Sequence, residues 1–148
     1  MDVITSKKYT APINYKILSL IPENAIEILD VGCGAGDNAR WLRENNKIVD
    51  GISYSEEEIK EAANYCRNAV LFNLENGLPE ELKINKYDII LCSHVLEHIA
   101  YPQQLLKDLK EVMKEESLLI IGLPNIMNFN YRLKIICGKF DYEERGVM

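Results

Sequence analysis

The sequence has 148 residues, the length of a typical single domain with one hydrophobic core. Apolar residues make up 47% and charged residues 27%, which excludes a disordered, collagen-like or repeat protein. Seventeen basic and twenty-three acidic residues give a net charge of −6, and the basic residues are scattered, so nucleic acid is not an expected partner.

Three features bear on the cellular location. The longest apolar run, residues 118–123, is far shorter than the ~20 residues of a membrane-spanning helix. Residues 1–8 do not resemble a signal peptide. The cysteines form no C-x-x-C pair, which is typical of reduced thiols; they are Cys33, Cys66, Cys92 and Cys137. We therefore expect a cytoplasmic protein without a membrane partner.

Short apolar segments alternate with amphipathic segments along the chain. The apolar segments predict buried strands at residues 26–31, 47–52, 69–72, 87–92 and 117–122. Helical spacing and capping residues predict helices at 37–44, at 55–66 after a Ser55–Glu58 capping box, from Pro102 to about Met113, and at 125–137. This alternation indicates one doubly wound α/β domain with a parallel sheet, over residues 1–148.

A glycine-rich turn after the first strand is the most informative motif. Residues 30–36 place Gly32, Gly34 and Gly36 between a strand and a helix, where backbone must take up positive φ or approach a ligand closely. Asp30 precedes them, and its carboxylate would repel a pyrophosphate but attract an ammonium group. The pattern favours S-adenosylmethionine as ligand. The alternative is a tight turn whose Asp caps the next helix.

These residues resemble the first motif of class I S-adenosylmethionine-dependent methyltransferases. Other segments follow in the family's order: residues 50–55 resemble the end of its second strand, 72–79 its adenine loop, 87–98 its fourth strand and loop, and 123–125 the segment after the fifth strand. The resemblance covers about residues 13–141 and is nearest to bacterial enzymes that act on sugars, quinones or other small metabolites. It implies a Rossmann-like sheet of order 3-2-1-4-5. It also implies methyl transfer to a small-molecule hydroxyl or amine by in-line displacement.

The resemblance also implies which residues contact the cofactor. Asp30 would lie near the ammonium group, the glycines along the methionyl part, Tyr54 against the adenine face, and Asn73 with Leu74 at the adenine edge. The alternative for Asn73 is a simple turn residue. The full implied set is Asp30, Gly32, Cys33, Gly34, Gly36, Ser53, Tyr54, Asn73, Leu74, Ser93 and His94.

Ser53 departs from the family's pattern. Relatives usually end the second strand with Asp or Glu, which takes both ribose hydroxyls, whereas Ser53 is neutral. The change should weaken cofactor binding by ~1–2 kcal/mol without abolishing it. On this interpretation Ser53→Asp should tighten binding.

The only two histidines stand in one loop. His94 and His98 spell H-x-x-E-H with Glu97, as in some zinc peptidases, but that motif needs a long helix and a third ligand, so no metal site is predicted. A divalent metal held by this loop, as in some relatives, stays an alternative. We predict His98 as the base that takes the acceptor's proton; the alternative is a hydrogen-bonded structural residue.

The two ends of the sequence add further expectations. The family's sheet has seven strands and the sequence predicts five, so the closing strands would follow Met148. The domain is therefore expected to be incomplete, or to form a homodimer through the fifth-strand edge, with Ile126, Phe129, Leu133 and Ile136 near the contact. Residues before the first strand, including Tyr9 and Tyr15, should form a lid helix over the cofactor.

Two other functions stay open. Ser53 and the early end of the sheet are compatible with a cofactor-binding module that has little activity of its own. A nucleotide-dependent oxidoreductase would share the architecture, but Asp30, the glycine spacing and the lack of an acid at position 53 disfavour it.

Overall fold

Five parallel strands form one sheet in the computed structural model, which describes residues 13–125 and 136–137. The strands are β1 (Glu27–Val31), β2 (Ile48–Ser53), β3 (Asn68–Leu71), β4 (Tyr87–Ser93) and β5 (Met113–Gly122). Their order across the sheet is β3-β2-β1-β4-β5, and every neighbouring pair is parallel. The predicted doubly wound fold and its strand order are confirmed.

Helices connect the strands and cover the sheet. They are α1 (Tyr15–Leu18), α2 (Asp37–Glu44), α3 (Glu56–Ala62), α4 (Glu80–Lys83) and α5 (Pro102–Glu111), with 3-10 turns at Leu74–Asn76 and Leu96–His98. The Ser55 side chain accepts a hydrogen bond from the Glu58 amide at the start of α3, as the capping motif predicts. Pro102 is the first residue of α5, where a missing N–H costs nothing.

The core consists of two layers because successive strand residues point to opposite faces of the sheet. In β1, Ile28 packs with residues of α1, α2 and α3 on one face, and Leu29 packs with residues of α4 and α5 on the other. Both side chains are fully buried. Burial on both faces explains why the strands read as continuous apolar runs.

Most strand boundaries differ from the prediction by one residue, and the end of α3 and the start of β5 differ by four. The α3 helix ends at Ala62 and not at Cys66, and the Asn64 side chain donates to the Glu61 carbonyl, which competes with helical bonding there. Met113 does not continue α5 but begins β5, where it pairs with Tyr87. Met113 is a partly buried apolar residue just after a helix, and its spacing matches one more helical turn, so the sequence pattern cannot separate the two.

Part of the predicted chain lies outside the described residues. This applies to Tyr9, to most of the helix predicted at 125–137, and to the expected contact residues Ile126, Phe129 and Leu133. Ile136 is described and exposed. Within the described ranges, no helix has the length and apolar character that a bilayer span requires.

Candidate active site

The carboxyl ends of three strands meet at one edge of the sheet. Val31 at the end of β1 pairs with Ile52 of β2 on one side and with Cys92 of β4 on the other. Because parallel strands run in the same direction, the loops that follow them lie side by side, which is where open α/β sheets bind ligands. This edge therefore brings the glycine-rich turn together with the loops after Ser53 and Ser93.

The glycine-rich turn after β1 has a backbone conformation that favours glycine. Gly32, Gly34 and Gly36 have φ values of +76°, +54° and +88°, which L side chains rarely adopt. The Cys33 amide donates to the Ile52 carbonyl at 2.8 Å. The turn is thereby tied through its backbone to the end of β2.

At two of these positions a side chain would also clash with neighbouring residues. A Cβ on Gly32 would lie 2.0 Å from Val95 Cγ2, and a Cβ on Gly36 would lie 3.0 Å from Ala62 Cα. Gly32 therefore allows the loop after β4 to cross the end of β1, and Gly36 allows α2 to approach α3. Direct contact of either glycine with the cofactor stays a prediction.

The Cys33 side chain points into the core. A Cβ built on Gly51 would lie 2.8 Å from Cys33 Sγ and 2.9 Å from Cys66 Sγ, so both thiols pack against the bare backbone of β2. The hydrogen bond with Cys66 and burial raise the pKa of the Cys33 thiol well above its usual value. If Cys33 contacts the cofactor, it does so through its backbone.

Asp30 is a buried carboxylate beside this turn. Its side chain is 1% exposed, and within the described part of the chain its Oδ2 atom has no hydrogen-bond partner. Burial raises the pKa of Asp30 to about 7. An ammonium group bound next to this carboxylate would remove the cost of its burial. The geometry therefore fits the cationic end of S-adenosylmethionine.

Ser53, at the end of β2, has a partner that the sequence analysis assigned only to helix capping. Its hydroxyl donates to Glu58 Oε2 at 2.5 Å and accepts a hydrogen bond from the Ser55 amide at 3.2 Å. Ser53 and Glu58 are each only 3% exposed, whereas the neighbouring Tyr54 is exposed. A buried carboxylate therefore does lie at the end of β2, but it belongs to Glu58 of α3 and not to the strand itself.

Asn73 begins the 3-10 turn after β3. Its side-chain oxygen accepts a hydrogen bond from the Glu75 amide at 3.0 Å, which is the turn role that the sequence analysis named as the alternative. Leu74 follows as the first residue of that turn. A bond from the same oxygen to adenine would use its second lone pair, and the adenine contacts of both residues stay predictions.

Ser93 ends β4 and contacts the segment before β1. The side-chain amide of Asn14 donates to the Ser93 hydroxyl at 3.4 Å, and the Asn14 amide N–H donates to Asn38 Oδ1 at 3.3 Å. Tyr15 lies edge-on to Trp41, with the ring centroids 6.5 Å apart. The start of α1 therefore lies against the carboxyl edge of the sheet, and Asn14 is a site-bordering residue that carried no sequence signal.

The two histidines lie in different conformations after β4. His94 has a φ of +56°, which is uncommon for residues other than glycine, and its amide donates to the Gly122 carbonyl at 2.9 Å. Its Nδ1 atom lies 3.5 Å from Glu97 Oε1. His98 ends a 3-10 turn and is exposed. The loop has no α-helix that could present both imidazoles to one zinc ion.

Within the described residues, the acidic, histidine and cysteine side chains form no metal site at this loop, and the groove along β3 does not reach it. Across residues 13–125 and 136–137, no three His, Cys, Asp or Glu side chains are grouped as metal ligands would be. A groove of about 470 Å³ runs along the outer strand β3 and α4, between Val70, Pro79 and Lys83. No residue that is predicted to contact the cofactor lines that groove. The candidate site is therefore defined by the residues at the carboxyl ends of the strands.

Comparison with known proteins agrees with this arrangement. A family model described as a methyltransferase domain matches residues 7–134. The chain is 37% identical over 117 residues to a ubiquinone biosynthesis O-methyltransferase of Rickettsia canadensis, covering 78% of this chain and 50% of that protein. It is 25% identical over 122 residues to the enzyme of that name from Haemophilus ducreyi, covering 77% and 52%. The chain thus spans about half the length of these curated relatives.

Solved structures show the same fold. The plantazolicin methyltransferase BpumL in complex with SAH is 28% identical, with a TM-score of 0.58 over 66% of this chain and 38% of that chain. A SAM-dependent methyltransferase from Archaeoglobus fulgidus, at 23% identity, has a TM-score of 0.67 over 88% and 62%. The second likeness concerns the fold alone.

The family match covers most of the chain and agrees with the strand order and the glycine-rich turn. It decides against the nucleotide-dependent oxidoreductase alternative. S-adenosylmethionine is the cofactor of this family, and Asp30 with the glycine turn fits that molecule. The chain belongs to the class I S-adenosylmethionine-dependent methyltransferases.

Proposed function

We propose that this protein transfers a methyl group from S-adenosylmethionine to a hydroxyl group of a small-molecule acceptor, of the kind methylated in ubiquinone biosynthesis. The observation that carries the proposal is Asp30, a buried carboxylate beside the glycine-rich turn whose Oδ2 has no hydrogen-bond partner among the residues that the structure describes. The likeness to the Rickettsia enzyme supports oxygen as the accepting atom. We also propose the cytoplasm as its location, because the three buried cysteines are free thiols.

The residues of the chain divide the work between binding and proton transfer. When bound, S-adenosylmethionine supplies a methyl group on a sulfonium that is already a good leaving group. Asp30 would hold the ammonium end, and Gly34 would let the methionyl part pass close to the backbone. His98 would take the proton of the acceptor hydroxyl as the new carbon–oxygen bond forms. Alignment of the reactants supplies most of the remaining acceleration.

Methylation of a simple diphenol tests this proposal. The purified chain is incubated with S-adenosylmethionine and catechol, and the methyl ether is measured by mass spectrometry. Gly34→Val is the matched negative variant, because a branched side chain would occupy the methionyl path. Circular dichroism shows whether that variant is folded.

The expected result is a methyl ether from the unaltered chain and none from Gly34→Val. Binding of S-adenosylhomocysteine without methylation of catechol, of a quinol or of an amine would overturn the proposed activity. That outcome would favour the cofactor-binding module considered in the sequence analysis.

A further inference from the structure

Glu58 is a buried carboxylate on a helix whose neighbouring acids are exposed. Glu56 and Glu57 of the same turn face solvent, whereas Glu58 is 3% exposed. Carboxylates are rarely buried to this degree unless they are paired, because burial penalises the charged form. A capping role alone does not require burial, since a capping carboxylate functions at the surface.

The Glu58 side chain reaches the place where relatives carry a strand-end acid. Its Oε2 atom accepts a hydrogen bond from the hydroxyl of Ser53, the last residue of β2, at 2.5 Å. The residue before Ser53 is Ile52, whose carbonyl accepts the hydrogen bond from the Cys33 amide of the glycine-rich turn at 2.8 Å. The Glu58 carboxylate therefore lies at the end of β2 to which that turn is bonded.

We propose that Glu58 supplies the carboxylate that accepts hydrogen bonds from the ribose hydroxyls of the cofactor, and that Ser53 is the positioning residue that orients it. The proposal rests on the proposed use of S-adenosylmethionine. In this chain the acid has been moved from the strand to the first turn of the following helix. Glu58 thus supplies the carboxylate that Ser53 lacks, five residues later in the chain.

A carboxylate has the hydrogen-bonding chemistry that this role requires. Its two oxygens accept and do not donate hydrogen bonds, and Oε2 accepts one from the Ser53 hydroxyl. The two adjacent hydroxyls of a ribose are donors that match a carboxylate, and such charge-assisted bonds are stronger than bonds to a neutral hydroxyl. Ser53 alone would offer a single neutral acceptor, and the Ser55 amide already donates to its oxygen.

Calorimetric titration with S-adenosylhomocysteine tests the assignment without any turnover. Glu58→Gln keeps the shape of the side chain but removes its charge, so we expect affinity to fall by about tenfold to a hundredfold. Glu57→Gln makes the same change on the exposed side of α3 and should bind as the unaltered chain does. Equal affinities for Glu58→Gln and the unaltered chain would overturn the proposal while leaving the proposed methyl transfer intact.

A ligand without ribose hydroxyls separates contact from general structural damage. With the 2′,3′-dideoxy analogue of S-adenosylhomocysteine, the losses caused by Glu58→Gln and by Ser53→Ala should both disappear, because the bonds they affect are absent. A loss of the same size with both ligands would show that Glu58 is only structural, and would overturn the proposal. Failure of the unaltered chain to bind S-adenosylhomocysteine would overturn this proposal and the proposed function together.

Returning the acid to the strand provides a test in the opposite direction. Glu58→Ala should weaken binding, and the double variant Ser53→Asp with Glu58→Ala should recover most of that loss. Ser53→Asp alone should weaken binding, since it places two carboxylates side by side. On this proposal the substitution has the opposite effect to the tighter binding that the sequence predicts. A double variant no better than Glu58→Ala would contradict the proposal.

Discussion

The phenolic hydroxyl of Tyr87 donates to Asp50 Oδ2 at 2.9 Å, and both side chains are fully buried. Arg67 binds the same carboxylate with two nitrogens, at 3.0 Å to Oδ1 and 2.6 Å to Oδ2. The side chains of Asn68 and Asn85 and the backbone amide of Asn68 also donate to this carboxylate. Burial alone would raise the pKa of Asp50, but the bonds from Arg67, Tyr87 and Asn68 outweigh it and lower the pKa.

A substitution in this network should destabilise the protein more when it leaves more buried polar groups without a hydrogen-bond partner. Tyr87→Phe removes one donor, so we expect the free energy of unfolding to fall by about 1–2 kcal/mol. Asp50→Ala leaves Arg67 without its main partner and should cost more, about 3 kcal/mol. Urea unfolding measures both. Equal losses for the two variants would show that the carboxylate does not organise the network.

The lowered pKa of Asp50 predicts an acid-dependent part of the stability. Its stabilisation is fully present above the unfolded-state pKa of about 4, and it is lost as the pH falls through the lower folded-state value. Asp50→Asn should therefore flatten the acid limb of a stability profile measured from pH 5 to pH 2. An unchanged limb would mean that other carboxylates control acid unfolding.

Asp30 predicts pH-dependent cofactor binding. Its pKa of about 7 in the free protein means that it carries a proton below that pH. Binding an ammonium group requires the ionised form, so affinity for S-adenosylhomocysteine should rise with pH up to about 7 and then level off. At pH 6 it should be about tenfold weaker than at pH 8, with release of a proton on binding.

Calorimetry in buffers of different ionisation enthalpy measures that proton. Asp30→Asn should bind more weakly at pH 8 and lose the pH dependence. A pH-independent affinity in the unaltered chain would show that Asp30 does not face the ammonium group.

We expect a substitution of His98 to lower turnover without changing cofactor affinity. Its amide donates to the Val95 carbonyl at 2.9 Å, and its side chain is exposed, so truncation should spare the fold. If His98 is the base, His98→Ala should lower kcat by about 10²-fold without changing affinity for S-adenosylhomocysteine or the melting temperature. Gln103→Ala on the exposed side of α5 serves as the control.

The opposite pattern would identify a structural role for His98. In that case affinity, melting temperature and turnover would fall together. Loss of activity on adding a chelator would instead support the divalent-metal alternative.

The β5 edge predicts self-association. In the described ranges β5 pairs only with β4, and Leu118 and Ile121 are 46% and 41% exposed. An unpaired edge strand with apolar side chains is a common site of pairing between chains. We expect sedimentation velocity to show a dimer that Ile121→Lys dissociates. A monomer at high concentration that binds no hydrophobic dye would contradict this prediction.

Local patterns were sufficient for the fold and for the glycine-rich turn. The run around Ile28 and the turn at Gly34 are each specified by neighbours in sequence, because burial on both faces and positive φ leave local signatures. The end of α3 was missed because the Asn64 side-chain bond to Glu61 competes with helix propagation, an effect that apolar periodicity does not record.

The sequence by itself determined the parallel α/β class, the strand order through the family resemblance, and the position of Asp30 beside the glycine-rich turn. Only the tertiary structure decided how the polar side chains pair: Asn14 meets Ser93 across 79 positions, and Tyr87 meets Asp50 across 37. It also decided that Ser53 hydrogen-bonds to Glu58, since the turn from β2 into α3 brings them together. Periodicity records which residues are buried, but the partner of a buried polar group depends on chain segments that meet only in the folded state.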